Sequence, residues 1–473
     1  MASELPKSTF RLRPNDQRLI LIIGDLLMGV LAILGGVYFW AAGDEWISFS
    51  VDFFKVRVPP WFYVLPLVWM LLMVDLYDIH RAASWERTKR AVTIAALVGG
   101  IVYLFIYFVS SEPGLINRRG IGGFLILVVI LTLLWRRVYI RIYQSQGFLR
   151  RALVVGAGVN GHTLAQIYKE LTPPPFTLVG FIDDDPQKLG KECENYPILG
   201  SSAQLLALVD HLNISDIIVA ISGEMMGSTF QTLLDAQEKG IEIARMQTIY
   251  EELLGRVPIH HLESDWVLRS FVDQTRSDGL YEIGKRLLDI IGSIVGLMIL
   301  GGLLPFIGLA ILIESGWPVL YWQERLGKGG KEFKIVKFRT MIQDAEKDGR
   351  ARMAGEKDPR ITRVGNFLRV TRLDEFPQFW NVLRGEMSLA GPRAERAQWV
   401  ETFQQEIPFY RARLLVKPGI SGWAQINYGY AANVEDTAVK LEYDLFYIKH
   451  RSLVMDLAII LRTVSTMLAR KGR

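Results

Sequence analysis

The chain of 473 residues has one cysteine, Cys193, and only six histidines. A single cysteine excludes an intrachain disulfide and fits a reducing cytoplasm. No Cys/His set has zinc-ligand spacing, and the adjacent pair His260-His261 reads as polar linker. Net charge is also small for the length, a formal +5. No basic tract of the kind carried by nucleic-acid binders is present, which excludes nucleic acid as a partner. A mild cationic excess suits an anionic membrane surface or phosphorylated substrates instead. What the chain holds in quantity is apolar residues, half of the total, gathered in runs long enough to cross a bilayer. Its length asks for two or three domains.

After a basic lead (Lys7, Arg11, Arg13, Arg18), residues 19–40 are apolar apart from Asp25. This run is longer than a signal-peptide core and lacks a cleavage site, so it reads as a retained span. Residues 61–76, 91–109 and 121–139 follow, giving a four-helix transmembrane region over residues 1–148. Basic clusters after the second run (His80, Arg81, Arg87, Lys89, Arg90) and after the fourth (Arg136, Arg137, Arg141, Arg150, Arg151) put both ends in the cytoplasm. The Arg118-Arg119 turn opposes that orientation. A charge inside a span is costly, and Asp25 reads as bonding a neighbouring helix.

Residues 149–250 change pattern. A buried strand at 151–155 runs into Gly156-Ala-Gly-Val-Asn-Gly161, and a second strand, 177–182, ends at Asp183. Gly156, Gly158 and Gly161 allow a tight turn and close approach of a pyrophosphate to a helix N-terminus, and Asp183 stands where a ribose-binding acid would. The unit is a half-length Rossmann-like α/β domain without a catalytic group of its own. A regulatory or oligomerising module that binds a nucleotide and a purely structural one fit equally, and a homo-oligomer is one expectation. Tyr281-x-x-x-Lys285 has the spacing of nucleotide-sugar dehydratases and reductases, but it lies outside this unit and reads as coincidence. Residues 251–280 form a polar linker.

Residues 287–313 are apolar except for Asp289 and Ser293, with Lys285-Arg286 before them and Arg325, Lys328, Lys331, Lys334 and Lys337 after. Basic flanks on both sides place both ends in the cytoplasm, so the segment must bend. Gly301-Gly302-Leu-Leu-Pro305 supplies a break, and the expectation is a re-entrant helix-break-helix. Asp289 is expected to pair with Lys285 or Arg286 one turn back.

Beyond it, a basic cluster precedes two adjacent acids, Asp374 and Glu375. Thr371 has capping-box spacing to Asp374, which would place that acid in a first helical turn. Beside Lys337, Arg339, Arg369 and Arg372 it would stay ionised, suited to attack phosphorus while Glu375 holds Mg²⁺ on phosphate oxygens. By spacing alone, a capping acid paired with Arg372 or Arg369 fits better, and the context reverses that balance.

The context is an ordered set: Lys285-Arg-Leu-Leu-Asp289, Gln323-Glu-Arg-Leu-Gly327, Lys337-Phe-Arg-Thr-Met341, Leu373-Asp-Glu-Phe-Pro-Gln378, Asn381-Val-Leu-Arg-Gly-Glu-Met-Ser388, Gly391-Pro-Arg393 and Lys417-Pro-Gly-Ile-Ser-Gly-Trp423. From residue 281 to 473 the chain resembles the monotopic polyprenyl-phosphate glycosyl-1-phosphate transferases. With its spans and Rossmann-like unit it resembles the large members of that group. The fold this implies is a membrane α-helical bundle, an α/β Rossmann-like domain and a mostly α monotopic catalytic domain with a re-entrant helix over residues 287–313.

The resemblance implies transfer of a sugar 1-phosphate from a UDP-sugar to polyprenyl (undecaprenyl) phosphate at the bacterial inner membrane. Asp374 would be the nucleophile and Glu375, with Asp374, the Mg²⁺ ligand. Lys337, Arg339, Arg369, Arg372, Arg393 and Asp444 would bind substrate, and Pro305 would lie along the lipid carrier. Three departures stand out: Leu304 before Pro305, Ala394 after Arg393, and Gln425-Ile-Asn-Tyr-Gly-Tyr430 near the substrate end. Residues 453–468 suit either an amphipathic helix on lipid or a helix packed on the membrane segment. The rival readings are a membrane-bound nucleotide-sugar dehydratase or epimerase, and a non-enzymatic scaffold of polysaccharide export.

Overall fold

A computed structural model describes residues 14–44, 46–77, 79–109, 118–143, 149–172, 174–262, 279–343, 358–429 and 433–468. The chain forms two compact units, Met1–Ile249 and Tyr250–Arg473.

The first unit opens with helices α1 (Pro14–Ala41), α2 (Leu65–Leu72), α3 (Trp85–Val109) and α4 (Arg118–Tyr143). α1 and α4 pack through glycine: a Cβ on Gly36 would sit 2.7 Å from the Gly120 carbonyl, and one on Gly123 would sit 3.2 Å from the Gly36 Cα. Small residues let apolar helices approach this closely. Asp25 is buried in the bundle and takes Arg136 of α4 on both oxygens, Oδ2 to Nη2 at 2.5 Å and Oδ1 to Nε at 3.3 Å. That is the neighbouring-helix bond expected of it.

The second expected span, residues 61–76, is not one long helix. Pro60–Val64 and Val74–Tyr77 are 3-10 turns around the eight-residue α2, too short alone for the ~20 residues a span needs. Proline at both starts and aromatic crowding at 61–63 break the run. Three N-terminal helices are long and apolar enough to cross a membrane, and the fourth such helix, among the described residues, lies in the second unit.

The remainder of the first unit is a sheet of order β3-β4-β2-β1-β5-β6, built from β1 (Arg151–Val155), β2 (Thr177–Ile182), β3 (Glu192–Cys193), β4 (Tyr196–Gly200), β5 (Asp216–Val219) and β6 (Glu242–Arg245). All pairs are parallel except β3 with β4. Its strands read as near-continuous β-branched and apolar runs because helices such as α5 (Val159–Glu170) cover them. The order β4-β2-β1-β5-β6 is that of the Rossmann pattern, with a switch point between β1 and β5.

The second unit is built on α6 (Gly279–Ser315), 37 residues and about 55 Å long. It runs unbroken through Pro305, so the expected helix-break-helix does not form. Proline removes one helical hydrogen bond, but both halves of α6 are held by packing: Gly292 against Leu389, Gly296 against Phe379, Ile311 with Phe338 and Leu368. A two-stranded hairpin follows, β7 (Leu320–Leu326) with β8 (Glu332–Phe338). Then come α7 (Arg363–Thr371), the 3-10 turn Leu373–Gln378, α8 (Phe379–Arg384) and β9 (Ser388–Ala390), which pairs in parallel with β10 (Gly419–Ser421). α9 (Val434–His450) and α10 (Leu453–Leu468) close the unit. α10 is packed in: Asp456 and Ile459 are fully buried, and Thr463 Oγ1 donates to Ser421 Oγ at 2.6 Å. Of the two readings for this helix, the packed one holds.

Candidate active site

Thr371 is the last residue of α7, not a cap for the acids. Its hydroxyl donates back to the carbonyls of Phe367 and Leu368, and Arg372, at φ +57°, reverses the chain. Asp374 and Glu375 therefore sit on a six-residue 3-10 turn, where little macrodipole acts on them. Their environment comes from side chains instead.

Glu375 is buried and accepts on Oε1 from Lys337 Nζ at 3.0 Å and Arg393 Nη1 at 3.4 Å. Burial alone would raise its carboxyl, but Lys337, Arg393 and Arg372 outweigh that and hold it below the usual range. Asp374, partly buried next to it, moves the other way. Burial raises its carboxyl first and the Glu375 charge adds to this, against Lys337, Arg369 and Arg393. The cations thus serve Glu375 before Asp374, whose carboxyl stands above the ordinary range. Two carboxylates whose proton affinities are driven apart are a mark of assigned chemical roles.

The scaffold explains why Lys337 points here. Asn381 of α8 accepts the Val336 N–H at 3.2 Å and donates to the Lys334 carbonyl at 2.8 Å and to Glu386 at 2.7 Å. This fully bonded amide staples β8 to the helix that follows the acids. Arg369, in the last turn of α7, has its Nη1 buried with no hydrogen-bond partner among the described residues. Such a donor is costly and suits an arriving anion.

Two expected site residues, Arg339 and Asp444, lie elsewhere. Arg339 Nη2 donates to the Ser315 carbonyl at 2.7 Å, to Ser315 Oγ at 3.1 Å and to the Gly316 carbonyl. It closes the end of α6, where free carbonyls need donors. Asp444 is fully buried and paired with Arg413 at 2.8 Å. Burial pushes its carboxyl up to about 6 even beside that guanidinium. Arg413 in turn donates to the Arg393 carbonyl at 3.2 Å, so Asp444 acts from behind the site rather than on a substrate. Pro305 is exposed on α6. Asp289 bonds neither Lys285 nor Arg286: its Oδ1 accepts from Ser388 Oγ and the Leu389 N–H, both at 2.9 Å.

Mg²⁺ binds through one or two carboxylates with the remaining positions left to water and substrate phosphates. Asp374 and Glu375 fit that sparse donor set. No group of three metal-ligating side chains occurs among the described residues.

In the first unit, Gly156, Gly158 and Asp183 line a cavity of about 420 Å³ at the switch point, with Lys188, Ser222 and Met226. Gly156 needs its φ of +105°, and a Cβ on Gly161 would lie 2.3 Å from the Gly156 carbonyl, whereas Gly158 faces open space. Asp183 Oδ2 accepts the Ala157 N–H at 2.8 Å and Lys188 Nζ at 3.0 Å. The expected ribose acid therefore braces the glycine loop.

Residues 280–470 match the bacterial sugar transferase family, and residues 73–233 match a CoA-binding domain. The UDP-galactose-lipid carrier transferase of Erwinia amylovora is 30% identical over 447 residues, covering 90% of this chain and 85% of that protein. The chain belongs to the bacterial sugar transferase family. A second relative of this transferase is the UDP-glucose:undecaprenyl-phosphate glucose-1-phosphate transferase of Xanthomonas campestris pv. campestris, 29% identical with 86% of each chain covered. A third is the UDP-N-acetylgalactosamine-undecaprenyl-phosphate N-acetylgalactosaminephosphotransferase of Aeromonas hydrophila. It is 43% identical over 232 residues, which span 49% of this chain and 53% of that protein.

Two residues that hold the transferase's site had no signal in the sequence. Arg413 sits in an unremarked Tyr-Arg-Ala-Arg stretch, and its burial against Tyr410 and Asp444 follows no periodicity. Asn381 opens a motif that carried the resemblance, but nothing in that motif spelled out its bracing role.

Proposed function

We propose that this transferase moves a sugar 1-phosphate from a UDP-sugar to polyprenyl (undecaprenyl) phosphate, starting exopolysaccharide or O-antigen synthesis at the cytoplasmic face of the bacterial inner membrane. One observation carries the reading: Glu375 clamped by Lys337 and Arg393, beside an Asp374 that, among the described residues, has no hydrogen-bonded cation of its own. An acid left free of such a bond can use its oxygen as a nucleophile.

Asp374 attacks the phosphorus bearing the sugar, forming an acyl-phosphate O–P bond. The bond to the bridging oxygen breaks, and UMP departs with the electron pair. A polyprenyl phosphate oxygen then attacks the same phosphorus and releases Asp374 as carboxylate. Lys337, Arg369 and Arg393 offset the repulsion between anions in both steps. Mg²⁺, held by Glu375 and Asp374, would neutralise diphosphate charge.

α6 serves this scheme as a monotopic anchor that stays helical but bends at Pro305, so that it enters and leaves one leaflet on the cytoplasmic side. Both of its ends dock on the same body, which supports this. Asp289 meets β9 near the start, and Glu314 accepts the Arg363 and Val364 N–H groups at the end, at 2.8 and 2.9 Å. Between them Ile291, Val295, Met298, Phe306 and Leu309 are exposed, as a lipid-facing side requires. The cavity at Gly158 is the place for a nucleotide in the α/β domain.

The test is transfer of radiolabelled sugar phosphate from UDP-sugars into organic-soluble lipid. Wild type should label the lipid and Asp374→Asn should not. Wild-type labelling by Asp374→Asn would overturn the assignment of the nucleophile.

A further inference from the structure

The first turns of α6 carry three polar side chains that the reaction does not use. Asp289 is 3% exposed at the entry to the apolar run of α6, a costly placement unless its oxygens are satisfied. One strand satisfies it, through Ser388 Oγ and the Leu389 N–H of β9, both at 2.9 Å. One turn earlier, Lys285 Nζ donates to the Ala390 carbonyl at 3.0 Å and pairs with Asp456 at 2.9 Å. All three residues of β9 are thus held from one face of α6. Beyond Ala390 the chain turns through Gly391-Pro392 to Arg393, whose guanidinium meets Glu375 at 3.4 Å.

The neighbouring Arg286 holds the other half of the site. It donates to the Val382 and Leu383 carbonyls, each at 2.8 Å, closing the C-terminal end of α8. That helix continues directly from the turn bearing Asp374 and Glu375. The acids and the cation that faces them arrive on separate stretches of chain, and one membrane helix bonds both.

We propose that Lys285, Arg286 and Asp289 are positioning residues, a polar clamp through which the membrane helix sets the geometry between Arg393 and Glu375. The proposal rests on the reading of Asp374 and Glu375 as the reactive pair. Hydrogen bonds to charged groups are the stronger class, so five of them fix β9 and α8 firmly. A misplacement of about 1 Å at such a site costs on the order of a hundredfold in rate.

The experiment is a double-mutant cycle on the full-length enzyme in detergent, read as UMP release from UDP-sugar with lipid acceptor. Asp289→Ala should lower kcat/KM by roughly tenfold to a hundredfold. Asp289→Asn, whose amide oxygen still accepts both bonds, should recover most of that loss. Adding Asp289→Ala to Arg393→Ala should slow the enzyme little further, because the clamp acts through Arg393. Losses that multiply, or an Asp289→Asn as slow as Asp289→Ala, would overturn the proposal. Should Asp289→Ala fail to fold, Ser388→Ala removes one bond without altering α6. It should show a smaller loss with the same lack of additivity, and a multiplying loss there counts against the clamp. If wild type itself releases no UMP, the functional reading fails instead.

Discussion

Lys337 bridges a hairpin strand to the carboxylate of Glu375, and both ends of this pair are shielded from solvent. Lys337→Met would leave Glu375 partly uncompensated. It should destabilise the protein by about 3 kcal/mol and cut turnover at least a hundredfold. Lys337→Arg, which restores charge but not the compact ammonium, should fall between. Melting in detergent alongside turnover checks this, and a Lys337→Met enzyme with normal turnover would contradict it. Glu442 makes a second prediction. It is buried beside Tyr250 and Arg256, and burial pushes its carboxyl up to about 7 against both. The folded state therefore favours the proton. That stability is full below about pH 4.3, the unfolded carboxyl's range, and is lost as pH rises through about 7. Glu442→Gln should flatten this decline in a series of melts against pH, and parallel profiles would contradict it. At this scale the sequence showed the acids, Lys337 and Arg393, because charged residues clustered in short motifs are visible as text. It misplaced Arg339 and Asp444, because whether a charge faces a substrate or a helix end depends on tertiary neighbours that spacing does not encode.

At the scale of elements, α6 organises the second unit. Its apolar length and basic flanks were legible in the sequence. Its continuity through Pro305 was not, since proline's local preference was overridden by packing along the helix. The same packing makes Gly296 sensitive. A Cβ there would meet the Phe379 ring at 2.5 Å, so Gly296→Val must displace the first residue of α8. A cost of about 1–3 kcal/mol is expected for overpacking, with lost turnover because α8 follows the acids. An unchanged melting temperature and rate would show that α8 is not fixed from this side. The interrupted α2 segment teaches the same lesson in reverse: hydropathy saw a span where prolines and aromatic residues make 3-10 turns.

For the whole molecule, the Rossmann-like α/β pattern and the glycine turn were readable because β-branched runs and glycine positions follow backbone rules directly. Asp183 was not, because its partner Ala157 N–H lies across the loop. The central claim is that Asp374 becomes covalently bonded to the sugar phosphate. It is tested most directly by incubating the enzyme with UDP-sugar and no lipid acceptor, then mapping modified peptides by mass spectrometry. A sugar-phosphate adduct on Asp374 is expected together with UMP release, and no adduct in Asp374→Asn. UMP release that requires the lipid acceptor, with an unmodified Asp374, would contradict it.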